Sequence, residues 1–591
     1  MDAKERTRDV YEEIPGYPKP PLVPLPEPGD LETMSRLGVR PTKFSRQVIQ
    51  TTMSVIGFNN FQRMLPDQLE GLLRRTNMRL PGLYSPVISA TLALQDDPRR
   101  LTPIQRAASL IFAARNLHAD IVSGSFPPDQ LRGQPLEMGQ YPNLFGTCLV
   151  VEGRGARMFK STDVSHVIVA VARRFYRLDI GNLGSETTIE QLEEALAQLA
   201  HLGQQNRLRD DEPHIGLLTC ASNGTQRSAF LKLSKIPANV TSLQAVRHSF
   251  LTVCLDLESS PSSIAEAAFW GHSTNCANRW WHSSLQLVVF GNARACVICN
   301  FTTYLDGNTM MRAAAELQRR AARSAVGAPL SPALPGLSPA VPLEWKVAPR
   351  LLRQAQRDLH LVQDNQQATF EILDIGRKFF AAQQVEAVPT FILALALTSQ
   401  RLTGRVAKID QFLTMSKYRC MDLVTANVTT PEVERFVDYM SSPQRNSKIA
   451  MALLREAIDS QARQARAARQ VLPLPEILTL YFETLKGFRR RFVFVVQIIA
   501  AIVLRLTGQV KLEQREVVVS HPEIYPEIPV VGRPGVRIPY ARYFGLHYQI
   551  LDDQIVITMM PGVTWKVPNA ELIAELERSL KQLQSIICDE Q

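Results

Sequence analysis

The sequence predicts an α/β fold divided between two domains. Strand-like and helix-like stretches alternate along the chain, its 591 residues exceed what one hydrophobic core supports, and a proline-rich break falls just past the middle. Apolar residues make up 45% and charged residues 21%, as in ordinary globular proteins, so disorder is confined to short segments.

The elements follow in order. Pro15, Pro18, Pro20, Pro21, Pro24, Pro26 and Pro28 fix φ and remove donors, so residues 1–30 read as an extended surface strap. Helical patterning then runs from about Glu32 to Ser123, and Gly124 to Pro135 is a turn-rich break. Residues 165–171, 250–255 and 285–290 are patterned as strands, and a helix is predicted from Thr188 to about Leu202. Gly327 to Pro342 sets Pro329, Pro332, Pro335, Pro339 and Pro342 among small residues, which excludes helix and central strand. It reads as a linker between an N-terminal part, 31–326, and a C-terminal part, 343–591. A long helical stretch is predicted from Val347 to about Thr507, then strands between Phe544 and Met559 and a last helix from Asn569 to Cys588.

The formal charge, 66 − 56 = +10, is mild for this length, and no Lys/Arg stripe is interleaved with aromatics, so no nucleic-acid partner is expected. Of eight cysteines only Cys296 and Cys299 form a CxxC pair. No second Cys or His pair follows, and the pair sits in an apolar strand-like run, so core thiols are expected and no metal. Reduced thiols point to an intracellular setting. Met1 to Glu13 has no apolar run and many acids, which fits neither a secretory signal nor a typical mitochondrial presequence. Cys588–Gln591 is no peroxisomal tripeptide. Asn223-Gly224-Thr225 reads as a turn.

Several stretches occur in an order that resembles the carnitine/choline acyltransferase family. They are Ser123-Gly124-Ser125-Phe126-Pro127-Pro128-Asp129, Gly133 to Tyr141, Asn143-Leu144-Phe145-Gly146, Phe175-Tyr176-Arg177-Leu178-Asp179, Ser249 to Asp256, Asn278-Arg279-Trp280, Leu343-Glu344-Trp345 and Phe391 to Gly404. The resemblance spans roughly residues 20–590. It implies two similar domains with mixed sheets flanked by helices, chloramphenicol-acetyltransferase-like, with a tunnel between them. It implies acyl transfer from acyl-coenzyme A to carnitine or choline, with a mid-tunnel histidine as general base in a Glu-His-Ser-x-x-Asp-Gly pattern, and a mitochondrial location.

This chain departs from that pattern at its chemistry. Asp306-Gly307 is present, but the histidine position is Thr302 and the preceding glutamate Phe301; no histidine occurs between Gly291 and Asn308. After Asn-Arg-Trp, the family's aspartate and lysine are His282 and Ser283. The lysines expected for the coenzyme phosphate fall on Ala381 and Gln384, leaving Arg377 and Lys378 as candidates to replace them. The acceptor-side segments near Ile409 to Asp422 are altered, and the family's Ser-Thr-Ser stretch aligns with Pro534-Gly535-Val536. His282 is the first alternative base and His272 a second, while His248 reads as a satisfied histidine beside a strand.

Phe492 to Leu504 is apolar on all sides between arginines. Thirteen residues reach about 20 Å, short of the roughly 30 Å of a bilayer core. Core burial, a protein interface and a membrane surface are three settings that suit it. The expectation is a non-catalytic member of the fold, docked into a larger protein assembly through Phe492, Phe494, Ile498, Ile499 and Ile502, with no cofactor and no coenzyme A. A transferase with an atypical site, or a regulator binding an acyl-coenzyme A without turnover, stands as the alternative.

Overall fold

The computed structural model of the chain describes residues 17, 19–26 and 42–589, apart from 81–88, 153–154, 163, 182–186, 210–211, 213, 329–334, 364–368, 422, 444, 509–515, 523–530, 534–542 and 562–564. Two large mixed sheets carry the fold. The first runs, in spatial order, Val341–Pro342, Arg174–Asp179, His166–Val171, Thr252–Asp256, Leu285–Phe290, Ala295–Asn300, Ser89–Ala93 and Val531–Arg533. Its central pairings, 166–171 with 252–256 and 252–256 with 285–290, are parallel, and the outer ones antiparallel. The second runs Thr369–Leu373, Ile555–Pro561, Phe544–Ile550, Val517–Ser520, Ile409–Thr414 and Leu423–Asn427, parallel only on the two sides of Val517–Ser520.

Central parallel strands are covered on both faces, which is why they read as unbroken apolar runs rather than alternating ones. Every residue of 166–171, 252–256 and 285–290 is buried. Helices Pro103–Ser123, Ile189–Gln205 and Gly307–Ala321 cover one face of the first sheet. Helices Asn223–Leu233, Pro237–Arg247 and Ile264–Ser273 cover the other. Thr102 and Thr188 begin two of these helices as N-caps of capping boxes closed by Gln105 and Gln191. Cys296 and Cys299, three apart on a strand, face opposite sides and join different cores. Burial pushes both thiols well up, Cys299 to about 12.

The structure departs from the sequence reading in both predicted helical stretches and in what packs on each sheet. The helical stretch from Glu32 to Ser123 is interrupted by the strand Ser89–Ala93, and that from Val347 to Thr507 by Thr369–Leu373, Ile409–Thr414 and Leu423–Asn427. Short apolar runs carry no period that separates buried strand from buried helix. Residues 343–363 pack on the first sheet: Leu343 N donates to Phe175 O (2.9 Å), and Leu351 and Ala355 enter that core. Conversely, helices Lys43–Val55 and Phe58–Met78 place Ile49, Phe58 and Leu65 in the core of the second half. The proline-rich segment lies along the first half, where Gln191 Nε2 donates to Pro335 O (2.6 Å) and Val341–Pro342 forms an edge strand, a place where a sheet tolerates proline. Part of the N-terminal strap is pinned: Pro21 O and Pro24 O accept from Arg419 N (2.9 Å) and Leu472 N (2.8 Å), and Val23 is buried between them.

Candidate functional site

The strand Ala295–Asn300 ends in a single 3₁₀ turn, Phe301–Thr303, before Gly307–Ala321 begins. Thr302 is buried in that turn. Its backbone N–H and its hydroxyl both donate to Asn300 Oδ1, at 2.9 and 2.6 Å, while Asn300 Nδ2 donates to Trp281 O (2.9 Å). The hydroxyl proton is therefore committed to a fixed amide oxygen. Phe301 packs on the apolar core where a glutamate was expected. Asp306 accepts from Thr309 N (2.8 Å) as N-cap of the next helix, and its own N–H donates to Gln140 Oε1 (2.7 Å). Asp306 and Gly307 thus start a helix.

His282 belongs to a different cluster, with Gln226, Phe230 and Trp280. Its Nε2 lies 2.8 Å from Gln226 Oε1, and Gln226 Nε2 donates to the carbonyls of Thr219 (3.2 Å) and Ala221 (2.7 Å). The amide orientation is fixed by those two carbonyls, so His282 Nε2 must carry the proton. Phe230 and Trp280 flank the ring, at 5.0 and 6.1 Å, and burial lowers its pKa to about 3. His272 is buried against Trp281 with Nδ1 3.2 Å from Thr91 Oγ1. His248 meets Ser161 Oγ at 3.0 Å and the edge of Phe159.

The Asn278-Arg279-Trp280 stretch is a brace, a role its sequence did not disclose. Arg279 donates to both Asp256 oxygens, at 3.0 and 2.6 Å, and Asn278 and Asn275 add further donors to Oδ1. Arg279 and Asp256 are fully removed from solvent.

The two cations offered for a coenzyme phosphate are already partnered. Arg377 is paired with Asp552, and Lys378 Nζ lies 2.7 Å from Asp553 Oδ2, in the turn joining two strands of the second sheet. Both pairs are exposed, so a phosphate would have to displace a carboxylate at each. Ala381 and Gln384 are solvent-facing. On the acceptor side, Arg419 pairs with Glu70 (3.0 Å), Lys417 lies over the Tyr418 ring (4.7 Å), and Cys420 is buried. Asp422 and Pro534-Gly535-Val536 lie outside the described residues.

The apolar run forms the helix Gly487–Leu506. Val493 and Leu504 bury one narrow stripe against its neighbours. Phe492, Phe494, Ile498, Ile499 and Ile502 face solvent with 43–57% of their surface open, and Phe488, Val495 and Leu506 extend the same face. The extra three were legible in the spacing 488, 492, 495, 499, 502, 506, which repeats 4-3-4-3-4. Among the described residues no helix is long and apolar enough to cross a membrane, and no cluster of three or more metal-ligating side chains occurs.

The chain is 27% identical to choline O-acetyltransferase of Sus scrofa over 76% of this chain and 75% of that protein. It is 22% identical to carnitine O-acetyltransferase of Columba livia over 66% of this chain and 64% of that one. Among solved structures, trichothecene 15-O-acetyltransferase from Fusarium sporotrichioides aligns over 86% of this chain and 94% of that chain, at 10% identity and a TM-score of 0.40. The family model for choline/carnitine O-acyltransferases matches residues 77–471. The chain belongs to the choline/carnitine O-acyltransferase family.

Proposed function

We propose that this chain keeps the acyltransferase fold as a structural, docking subunit of a larger protein assembly and does not transfer acyl groups. One observation carries the reading: the hydroxyl of Thr302, the residue that the resemblance sets at the base position, donates to Asn300 Oδ1. A threonine hydroxyl has no accessible pKa near neutrality, and a missing general base alone costs about 10²–10⁴ in rate. His282, the first substitute, is buried with its Nε2 proton held by Gln226. The pairing of Arg377 and Lys378 with Asp552 and Asp553 supports the absence of a coenzyme site. The exposed face of Gly487–Leu506 supports docking, because free monomers rarely leave so large an apolar patch uncovered.

The test is thiol release from acetyl-, octanoyl- and palmitoyl-coenzyme A with carnitine or choline as acceptor. No turnover is expected, nor from Phe301→Glu/Thr302→His, since the substrate sites have changed as well. Turnover near ~1 s⁻¹, an ordinary enzymatic rate, would overturn the reading.

A further inference from the structure

We infer that the helix Gly487–Leu506 lies on an anionic lipid surface, with its apolar face among the acyl chains and its cations among the headgroups. This rests on the docking reading above and names what the face docks on. Val493 and Leu504 hold one side of the helix to the body of the protein. At about 100° per residue the opposite side centres on the row Phe488, Val495 and Ile502, which are 84%, 52% and 50% open. Phe492, Ile499 and Leu506 lie beside that row, all exposed. Arg491 and Arg505 fall on one flank and Arg489 on the other, exposed as well. The apolar face runs 506 − 488 = 18 residues, about 27 Å, along the helix.

Charge and width choose among occupants. Residues 486–508 carry Lys486, Arg489, Arg490, Arg491 and Arg505, all exposed, and no acidic residue. Among the described residues none of these five cations is paired with a carboxylate. A second copy would set five cations against the same five, which disfavours association. A single partner helix meets its neighbour along a seam of two positions in seven. Here exposed apolar side chains reach from Phe492 on one side to Phe494 on the other, close to half the circumference. A helix lying in a membrane surface has such a wide apolar face, with aromatic rings on it and cations on its flanks, whose heads reach the headgroups while their stems lie along the apolar boundary. The helix Lys43–Val55, which packs against this one, has the same character: it holds no acidic residue and exposes Lys43, Phe44, Arg46 and Val55.

The experiment sediments the full-length protein with vesicles of phosphatidylcholine alone or of phosphatidylcholine and phosphatidylglycerol in equal parts. Retention is expected on the anionic vesicles, weakening as salt is added, and not on phosphatidylcholine alone. Each cation near such a surface contributes about fivefold, so Arg489→Gln/Arg491→Gln/Arg505→Gln should weaken binding about a hundredfold. Val495→Glu/Ile502→Glu should abolish retention while the urea midpoint stays in place. If that pair of glutamates unfolds the chain, the arginine triple still decides, and undiminished binding by it overturns the proposal. Equal retention on both kinds of vesicle overturns it, as does no retention on either. Retention by a folded Val495→Glu/Ile502→Glu protein assigns lipid binding to another surface and overturns it too. A dimer that this pair dissociates, without vesicle binding, overturns it in favour of a second copy. Protein purified from its source without detergent that elutes in a large assembly yet binds no vesicle would sink the lipid surface and leave the docking reading standing. Acyl transfer measured on the same samples bears only on the non-catalytic reading, so the two fail separately.

Discussion

His282 and His118 are neutral residues by construction of their surroundings. His118 is held between Phe145 and Phe250, and burial lowers its pKa to about 4, as it lowers that of His282 to about 3. In the unfolded chain both return to about 6.5. The unfolded state therefore binds the extra protons as pH falls below that value. The stability these residues contribute is complete above about pH 6.5 and is lost on acidification towards their folded pKa values. Each costs up to about 1.4 kcal/mol per pH unit in that window, half that at pH 6.5 itself, so the pair removes about 3 kcal/mol between pH 6.5 and 5. Urea unfolding should show at least that fall, since burial lowers His521 and His547 as well, and His282→Gln should shed its own share of the slope. An unchanged slope in the variant would mean that His282 is solvated. At this scale the departure from the family pattern was read from the sequence, since no histidine occurs between Gly291 and Asn308. The neutralisation of Arg377 and Lys378 was not, because their carboxylates stand 175 positions away.

Two faces of one helix should respond oppositely to substitution. Leu504 is buried, so Leu504→Ala should cost about 2–5 kcal/mol through lost contact and the cavity it leaves. Phe494→Glu/Ile498→Glu alters side chains that are already 57% and 43% open, so unfolding free energy should stay within about 0.5 kcal/mol per site. Urea denaturation measures both variants; loss of folding in the double variant would make this helix part of the core. Element type was read best where periodicity was long. The last helix begins at Asn569 and ends at Cys588 as its pattern predicts, and Thr188 caps its helix where the sequence places it. The strands Ile409–Thr414 and Leu423–Asn427 were lost among helices because five or six half-buried residues give no decisive period.

Across the whole molecule the halves are interleaved rather than strung together. Val531–Arg533, from late in the chain, completes the first sheet beside Ser89–Ala93. Glu137 ties the first half to the second through its N–H on Ser416 O (2.7 Å) and its carboxylate on Cys420 N (3.0 Å). Tyr481 donates its hydroxyl to Ile56 O, and the strap lies along the second half. Neither sheet keeps its full set of partners if the other melts, so calorimetry should show one cooperative transition; two resolved transitions would mean the crossings are weak. These long-range crossings left no trace in local sequence pattern. The cysteines turn this interleaving into a reporter. Seven are buried and only Cys588 is exposed. Cys148, Cys220, Cys254, Cys276, Cys296 and Cys299 belong to the first half, Cys420 to the second. Alkylation of the native protein with a short pulse therefore tags a single position near the C-terminus. Each further adduct, mapped by mass spectrometry as denaturant rises, time-stamps the opening of a known strand or turn without any engineered probe.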